Sequence, residues 1–444
     1  MEERNLLEAY QNGIETHPCF LTDRPTGTGK TYTAAQLAAS YMQQGKKVLY
    51  VYPRKSCLSE FVTDIKKADE DFSEKDNAFF QPITYKKVLI DHQKDKSNDH
   101  KVFLDFFSDI QLCVYDEAHF MGGLKTRDVC SDLNAFFKAR QIPYFGLTAT
   151  RDRSDPYKII TEQFEDCLVA ELRLSDAIDS GLLPEPYYVY TQQIFDTDIF
   201  LSYTESQNQS GVTDSLELAV SEIVNMSEII RKHVTYLYGE NLAPFPDKNL
   251  RILVFYSRLN VIEQKRNDII EKTYEAFKDL IPDLRIRSLL VGSREFDTVT
   301  YPRSPYVRPE DEIQVSSELE EVKEDVPKNT IDLVFSVDIM AASVHCKASI
   351  AYIIRQTYSN PLYIQMIGRM LQRDLTFIPM IFDFASNIKL DPMATESLNR
   401  GGGEESPIHL LIDVFRRFDA IDHVANRREF FERISKQIFN HTLP

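Results

Sequence analysis

The chain has 444 residues, of which 43% are hydrophobic and 27% charged, and its formal net charge is −17. This length predicts two or three domains, and the composition is typical of a soluble globular protein. No apolar run approaches the ~20 residues that span a bilayer, which argues against a membrane protein. The acidic, polar N-terminus and six scattered cysteines argue against a secretory signal, a disulfide scaffold and a zinc cluster, and favour the cytoplasm.

The first 172 residues alternate short apolar runs with helical stretches. This alternation predicts an α/β domain, built on a parallel sheet with helices on both faces. The strand candidates are Phe20–Thr22, Val48–Tyr52, Pro82–Thr84, Leu112–Tyr115, Tyr144–Leu147 and Cys167–Val169.

Residues 24–31, Arg-Pro-Thr-Gly-Thr-Gly-Lys-Thr, follow the first strand candidate and precede a helical stretch. Two closely spaced glycines permit a curled loop whose backbone N–H groups face one anion, and the helix adds its positive N-terminal end. Lys30 is then expected to reach the β- and γ-phosphates of a nucleoside triphosphate, and Thr31 to place its hydroxyl on Mg²⁺. The alternative is a plain glycine-rich turn, since Arg24 occupies the usual position of a first glycine. The predicted nucleotide-binding residues are Pro25, Thr26, Gly27, Thr28, Gly29, Lys30 and Thr31.

Residues 116–119, Asp-Glu-Ala-His, follow the apolar run 111–115. Such a run suits a buried parallel strand, and ligands of open α/β sheets bind beyond the carboxyl ends of their strands. We expect Asp116 to hold Mg²⁺, mostly through water, and Glu117 to orient and deprotonate the attacking water. A solvated acidic turn is the alternative for these four residues alone, and the phosphate loop upstream disfavours it.

Two further motifs complete a recognisable set. Residues 146–150 read Gly-Leu-Thr-Ala-Thr, and residues 365–369 read Gln-Met-Ile-Gly-Arg. With the phosphate loop and the Asp-Glu-Ala-His box in the same order, the chain resembles superfamily 2 helicases of the DEAH type over about residues 1–390. It looks nearest to the bacterial and phage branch that includes the motor parts of type I and type III restriction enzymes. The resemblance implies two tandem RecA-like P-loop NTPase domains.

The predicted domains are residues 1–172, a linker over 173–185, and a second RecA-like domain over 186–390. Within the second domain, residues 196–240 predict a helical insertion, and the prolines in residues 293–312 predict a long loop. Residues 391–444 contain apolar positions at helical spacing and predict a small helical tail, most simply packed on the core. The strand candidates are Tyr188–Tyr190, Ile252–Tyr256, Ser288–Val291, Leu333–Val337, Ile350–Ile354 and Met380–Phe382.

The resemblance implies further roles. Arg369 corresponds to the family's arginine finger, and Gln365 would position water or contact the γ-phosphate. A second finger is doubtful, since its position is Gln372, with Arg373 beside it. The family's acidic residue and glycine are replaced by Ala342 and Ser343, which weakens the expectation of tight coupling. The residues that would couple ATP to nucleic acid are His119, Thr148, Thr150, Ser343, His345 and Arg373.

Contacts with nucleic acid are expected in loops that follow strands. By resemblance these loops touch the phosphate backbone, although each residue is also an ordinary loop residue. The net charge of −17 does not suit a nucleic-acid binder, yet a local groove is sufficient for binding. The predicted nucleic-acid-binding residues are Pro53, Arg54, Thr84, Tyr85, Ser257 and Arg258.

The leading interpretation is an ATP- and Mg²⁺-dependent helicase or translocase that acts on nucleic acid, DNA more readily than RNA. The rival is a nucleic-acid-stimulated ATPase that closes as a clamp or switch without processive unwinding. A scaffold without turnover would require a lost catalytic residue, and Lys30, Asp116, Glu117 and Arg369 are all present. The chain could serve as one subunit of a restriction, defence, repair or mobile-element system, with a protein partner docked on the C-terminal tail.

Overall fold

The computed structural model divides the chain into two units, Met1–Leu183 and Pro184–Pro444. The boundary falls inside the predicted linker, and the domain limits themselves stay a prediction. The residues that the structure describes are 3–74, 78–95, 100–123, 125–149, 160–190, 226–256, 259–291, 304–315, 325–336, 347–354, 365–373 and 375–384. The predicted C-terminal tail, residues 391–444, lies outside them.

The first unit is built on a five-stranded parallel sheet with the order β1-β5-β4-β2-β3. Its strands are β1 (Cys19–Asp23), β2 (Lys47–Tyr52), β3 (Phe80–Thr84), β4 (Ile110–Tyr115) and β5 (Tyr144–Thr148). Its helices are α1 (Glu3–Thr16), α2 (Lys30–Gln43), α3 (Lys55–Ala68), α4 (Tyr85–Lys94), α5 (Lys101–Asp105), α6 (Arg127–Ala139) and α7 (Leu174–Asp179).

Two apolar cores cover the two faces of this sheet. Along β2, Val48, Tyr50 and Tyr52 belong to the core shared with α1, α2 and α3, whereas Leu49 and Val51 belong to the core shared with α4, α5 and α6. Alternate side chains of a strand point to opposite faces, so both faces of β2 are buried under helices. The predicted α/β class, with helices on both faces, is confirmed.

The predicted strand over 167–169 is not a sixth strand of the sheet. Leu168 forms an isolated parallel bridge with Leu21, and hydrogen bonds join the backbone of Leu21 to Cys167 and Val169. The flanking residues Glu165, Asp166 and Ala170 have positive φ angles of 54°, 56° and 61°. These left-handed residues bend the chain and limit the pairing to this bridge.

The second unit contains a seven-stranded parallel sheet with the order β6-β12-β11-β7-β10-β8-β9. Its described helices are α8 (Met226–Tyr238), which ends the predicted insertion, and α9 (Leu259–Phe277). The sequence missed the short strand β9 (Glu312–Val315), which begins at the last residue of the predicted long loop. The strands are β6 (Tyr187–Tyr190), β7 (Leu250–Phe255), β8 (Arg285–Val291), β9 (Glu312–Val315), β10 (Thr330–Ser336), β11 (Ile350–Ile353) and β12 (Met380–Asp383).

A buried ion cluster crosses three adjacent strands of the second sheet. Asp332 of β10 is in register with Arg251 of β7 and with Arg287 of β8. Its carboxylate accepts from Arg287 Nε at 2.7 Å and from Arg251 Nη2 at 3.3 Å, and its side chain is fully buried. One carboxylate therefore bonds to two guanidinium groups inside the sheet. Loss of any one of the three residues would break this cluster and destabilise the sheet.

Candidate nucleotide site

The phosphate-loop residues connect the end of β1 to the start of α2. Gly27 and Gly29 have φ angles of 80° and 86°, in the left-handed region that glycine adopts without a steric penalty. The buried Thr28 hydroxyl donates to the carbonyl oxygen of Pro25 at 2.7 Å, and Lys30 Nζ donates to the same oxygen at 3.2 Å. The loop is thus curled back on Pro25, with the lysine lying across it.

The residue at the usual first-glycine position is folded into the interior. Arg24 is only 1% exposed, and its backbone N–H donates to the carbonyl oxygen of Thr148 at 3.0 Å. Asp23 pairs with Thr148 in the sheet register. The end of β5, where the Gly-Leu-Thr-Ala-Thr motif begins, therefore lies directly beside the phosphate loop.

Asp116 lies immediately after β4, at the same edge of the sheet. Its carboxylate accepts the Tyr50 hydroxyl at 2.7 Å through Oδ2 and the backbone N–H of Glu117 at 3.0 Å through Oδ1. Burial, and next the charge of Glu117, raise the pKa of Asp116 to about 7, while the Tyr50 hydrogen bond and the charge of Lys30 lower it. Opposed electrostatic effects of this kind are common where a protein binds ions or performs proton transfer.

Lys30 faces the same acidic group. Burial lowers the pKa of Lys30, and the negative charges of Glu117, Asp116 and Asp23 act in the opposite direction. The structure therefore brings together the phosphate-loop lysine and both carboxylates of the Asp-Glu-Ala-His box, residues that lie more than 80 positions apart in the chain.

Glu117 has an unusual backbone conformation for a charged residue. Its φ angle is 48°, and the 3₁₀ turn Ala118–Gly122 starts directly after it. The side chain reaches towards His119, whose Nδ1 lies 3.3 Å from Glu117 Oε2. Left-handed non-glycine residues are uncommon, and here the conformation turns the chain sharply between β4 and the 3₁₀ turn.

Three predicted nucleic-acid contacts lie at the edge where the strands of this sheet end. Pro53 and Arg54 follow β2, and Thr84 ends β3, where its Oγ1 accepts the Lys87 N–H at 3.1 Å and caps α4. Tyr85 requires a correction. It is 4% exposed, and its hydroxyl donates to the backbone carbonyl of Asp116 at 3.0 Å. This inward placement removes the Tyr85 side chain from the predicted nucleic-acid contacts.

The described part of the second unit includes Gln365, Arg369 and Arg373. Residues 365–368 are helical, and the N–H of Arg369 donates to the carbonyl oxygens of Gln365 and Met366 at 3.2 and 3.3 Å. Gln365 is 4% exposed and Arg369 9% exposed, and within the described residues Arg369 Nε has no hydrogen-bond partner. The other predicted site residues, Thr150, Ser257, Arg258, Ser343 and His345, lie outside the described residues.

Sequence reasoning missed Tyr50 as a member of the site. The strand β2 reads Lys-Val-Leu-Tyr-Val-Tyr, in which an inward tyrosine looks like one more apolar core residue. Only the sheet register, which sets Tyr50 beside Val114 two residues before Asp116, places its hydroxyl near the carboxylate. The sequence offered only a weak signal for Tyr50. A buried tyrosine requires a hydrogen-bond partner for its hydroxyl, but the sequence does not indicate which residue that is.

A separate group of potential metal ligands lies between α4, the start of α5 and α6. It consists of His92, His100 and Asp132, whose ligand atoms lie within 4.8 Å of one another. The two imidazole rings stack 3.6 Å apart and nearly parallel, at 5°, and His92 Nε2 is 2.8 Å from Asp132 Oδ2. Nitrogen lone pairs lie in the ring planes, so parallel stacked rings do not direct them at one ion. We interpret this group as a packing contact between helices.

Comparison with known proteins shows what the first unit is similar to. Residues 3–153 match the family described as the type III restriction enzyme, res subunit. The match covers about a third of the chain and lies within the first unit. The predicted resemblance to superfamily 2 helicases of the restriction-enzyme kind is confirmed.

Solved structures agree at the level of the fold. The chain matches the DUF1998 helicase MrfA bound to DNA and AMPPNP with a TM-score of 0.52 and 14% identity, over 92% of this chain and 52% of that chain. It also matches the Escherichia coli DEAH/RHA helicase HrpB (TM-score 0.47, 12% identity, 91% of this chain and 44% of that chain). A third match is the ATP-dependent type ISP restriction-modification enzyme LlaBIII bound to DNA (TM-score 0.48, 11% identity, 86% of this chain and 27% of that chain).

This chain therefore spans between about a quarter and a half of the length of these structures. The predicted pair of tandem RecA-like domains is confirmed. No curated protein matches the sequence. Among the described residues, no helix has the length and apolar character needed to cross a membrane.

Proposed function

We propose that the protein binds ATP with Mg²⁺ at the carboxyl edge of the first sheet, hydrolyses it, and couples hydrolysis to movement on or remodelling of nucleic acid. One observation carries this proposal. Lys30, Asp116 and Glu117 converge beside a loop whose two glycines have left-handed backbones. A cation for phosphates, a carboxylate for the metal and a carboxylate for water are the parts that phosphoryl transfer requires.

The phosphate loop fits a nucleoside triphosphate. Gly27 and Gly29 give the curled backbone of an anion-binding loop, and α2 begins at Lys30 with its positive end towards that loop. Lys30 Nζ donates to the Pro25 carbonyl oxygen, a neutral acceptor that charged phosphate oxygens, which form stronger bonds with an ammonium group, can replace. Lys30 would then hold the β- and γ-phosphates.

The neighbouring oxygen groups fit Mg²⁺. Asp116 and Thr31 supply a carboxylate and a hydroxyl, and hard oxygen ligands suit this ion, which retains several waters. When bound, Mg²⁺ would neutralise charge on the phosphates. Each carboxylate oxygen has further acceptor capacity beyond its one hydrogen bond, so Asp116 can serve the cation and its water without losing its protein partners.

Glu117 is the proposed general base. It would accept a proton from the attacking water, while His119, 3.3 Å from Glu117 Oε2, holds the carboxylate in place. Arg369 is the proposed finger that stabilises charge on the transferring phosphoryl group, and Gln365 its companion. Thr148, Thr150, Ser343, His345 and Arg373 are proposed to couple the nucleotide state to nucleic acid.

The proposed nucleic-acid surface includes Pro53, Arg54 and Thr84, which follow or end neighbouring parallel strands and so lie at one edge of the sheet. Ser257 and Arg258 are proposed to act in the same way in the second unit. MrfA, which has the same fold, has been observed with DNA and AMPPNP, and this supports DNA as the substrate. A place in a restriction, defence, repair or mobile-element system, a partner on residues 391–444, and a cytoplasmic location belong to the same proposal.

The second candidate is a nucleic-acid-stimulated ATPase that acts as a clamp or switch without processive unwinding. The net charge of −17 favours it, because a strongly acidic chain is repelled by long nucleic acid outside its groove. The replacement of the family's glycine by Ser343 favours it as well. Strand displacement distinguishes the two candidates, since only the motor separates a labelled duplex while it hydrolyses ATP.

The direct test is ATP hydrolysis with Mg²⁺, measured alone and with single-stranded DNA, duplex DNA or RNA. We expect Mg²⁺-dependent turnover that nucleic acid stimulates, with DNA more effective than RNA. Absence of hydrolysis under all these conditions would contradict the proposed function. Hydrolysis that no nucleic acid stimulates would support the proposed ATPase activity and reject both candidate functions, because each of them requires nucleic acid.

A further inference from the structure

Tyr50 is a buried tyrosine in the middle of β2. It is fully buried, and its ring stacks on Phe61 at 3.8 Å with an interplanar angle of 8°. It also packs against Phe80 at 6.5 Å. These contacts fix the ring in one orientation and leave the hydroxyl group no rotational freedom other than that of its hydrogen.

The Tyr50 hydroxyl has two acceptors within reach. Asp116 Oδ2 lies 2.7 Å away, and the carbonyl oxygen of Cys57 lies 3.3 Å away. One hydroxyl hydrogen makes one strong bond, and the shorter contact to a carboxylate is the stronger. An ionised carboxylate only accepts hydrogen bonds, so the Tyr50 hydroxyl is the donor of this pair.

This bond determines the orientation of the Asp116 carboxylate. Oδ1 is held by the N–H of Glu117 at 3.0 Å, and Oδ2 by Tyr50. The backbone is held as well, since the Asp116 carbonyl accepts the Tyr85 hydroxyl and its N–H donates to Val51. With donors on both oxygens, the carboxylate plane cannot rotate without breaking at least one bond.

We propose that Tyr50 is a positioning residue, which orients the Asp116 carboxylate so that it binds the Mg²⁺ that accompanies the nucleotide. This inference rests on the proposed function, since it concerns the same site. It assigns the residue a role that its place in an apolar strand does not suggest. A carboxylate whose orientation is already fixed binds a metal ion more tightly than a mobile one, because it loses less conformational entropy on binding.

Tyr50→Phe tests this inference, with Tyr115→Phe as the matched control. Both changes remove one buried hydroxyl and retain the ring. The Tyr115 hydroxyl donates to Asn134 Oδ1 at 2.8 Å, on the opposite face of the sheet from Tyr50. Loss of general stability would affect both variants, whereas loss of carboxylate orientation would affect only Tyr50→Phe.

The measurement is the affinity for AMPPNP by isothermal titration calorimetry, once with Mg²⁺ and once with EDTA. The useful quantity is the ratio of the two affinities within one variant, because partial unfolding reduces the amount of active protein and leaves this ratio unchanged. We expect Tyr50→Phe to bind AMPPNP in EDTA as tightly as the wild type does. Its increase in AMPPNP affinity on adding Mg²⁺ should be about tenfold smaller than that of the wild type, which is the lower range for the loss of a hydrogen bond to a charged group. Tyr115→Phe should keep the whole gain.

Two results overturn the inference alone: a Mg²⁺-dependent gain in Tyr50→Phe equal to that of the wild type, or an equal loss in Tyr115→Phe. A wild-type protein that binds AMPPNP neither with nor without Mg²⁺ overturns the proposed function, and the role of Tyr50 with it. Because that result appears in the wild type and the others only in the variants, the two failures are distinguishable.

Discussion

Gly146 of β5 packs directly against Ala118 of the Asp-Glu-Ala-His turn. A Cβ atom at Gly146 would lie 2.9 Å from the Ala118 Cβ and 2.5 Å from the Phe164 ring, closer than side chains tolerate. The strand that leads into the Thr-Ala-Thr motif is thus in contact with the turn that carries Glu117.

Gly146→Ala should therefore destabilise the first unit. Overpacking a well-filled interior costs about 1–3 kcal/mol. Urea denaturation followed by circular dichroism measures the change, with Gly181→Ala as the control. Gly181, unlike Gly146, has a positive φ of 71°, and an added Cβ there meets open space, so only backbone strain of about 1 kcal/mol is expected. Equal stability of Gly146→Ala and the wild type would contradict the tight contact.

Lys30→Ala and Glu117→Gln should separate nucleotide binding from turnover. Without its ammonium group, Lys30→Ala loses affinity for the triphosphate. Glu117→Gln keeps binding and loses hydrolysis, because an amide does not accept a proton from water. Titration calorimetry with AMPPNP and steady-state hydrolysis measure the two quantities. Turnover that survives in Glu117→Gln would remove Glu117 from the role of base.

Arg369→Ala should reduce turnover by roughly 10³-fold or more, the scale of a lost arginine finger, and leave ATP binding nearly intact. Stimulation by nucleic acid should fall with it. Arg308→Ala, which removes an exposed arginine of the same unit, is the control and should leave turnover nearly unchanged. If Arg369→Ala retains near-normal stimulated turnover, Arg369 is a structural residue after a glycine turn and not a finger.

Nucleic-acid binding should weaken as the salt concentration rises, since the proposed contacts are to phosphates. Arg54→Ala should lower the slope of log affinity against log salt by about 1, without a change in sequence preference. Lys66→Ala is the matched control, because Lys66 is an exposed cation in the last turn of α3, at the other end of the helix that Arg54 precedes. An unchanged slope in Arg54→Ala, or an equal change in Lys66→Ala, would contradict this surface.

Asp332→Ala should severely destabilise the second unit. It leaves the buried Arg251 and the half-buried Arg287 without their shared carboxylate, and breaking a buried ion pair on one side costs about 3–5 kcal/mol. Asp279→Ala removes an exposed ion pair with Arg231 and should cost at most about 1 kcal/mol. Urea denaturation of the two variants measures the difference, and a similar, small loss in both would show that the cluster carries little stability.

The sequence predicted the elements with strong local patterns. The phosphate loop, the Asp-Glu-Ala-His turn and most strands of both sheets follow from glycine spacing and apolar runs, which depend on nearby residues. Two elements failed for physical reasons. The pairing of residues 167–169 ended at left-handed residues, and β9 is a four-residue strand that directly follows a proline-containing loop.

The parts of the site that the sequence did not predict depend on strand register. Tyr50 and Asp116 lie 66 positions apart, and the inward direction of Tyr85 depends on how α4 packs against β4. Neither contact has a local signal, because tyrosine suits an apolar strand, a loop and a binding surface equally well.

The most direct test of the central claim is the rate of Mg²⁺-dependent ATP hydrolysis with saturating single-stranded DNA, compared between the wild type and Glu117→Gln. The convergence of Lys30, Asp116 and Glu117 beside the phosphate loop predicts stimulated turnover in the wild type and loss of nearly all of it in the variant. A wild type that hydrolyses no ATP, or a variant as active as the wild type, would contradict it.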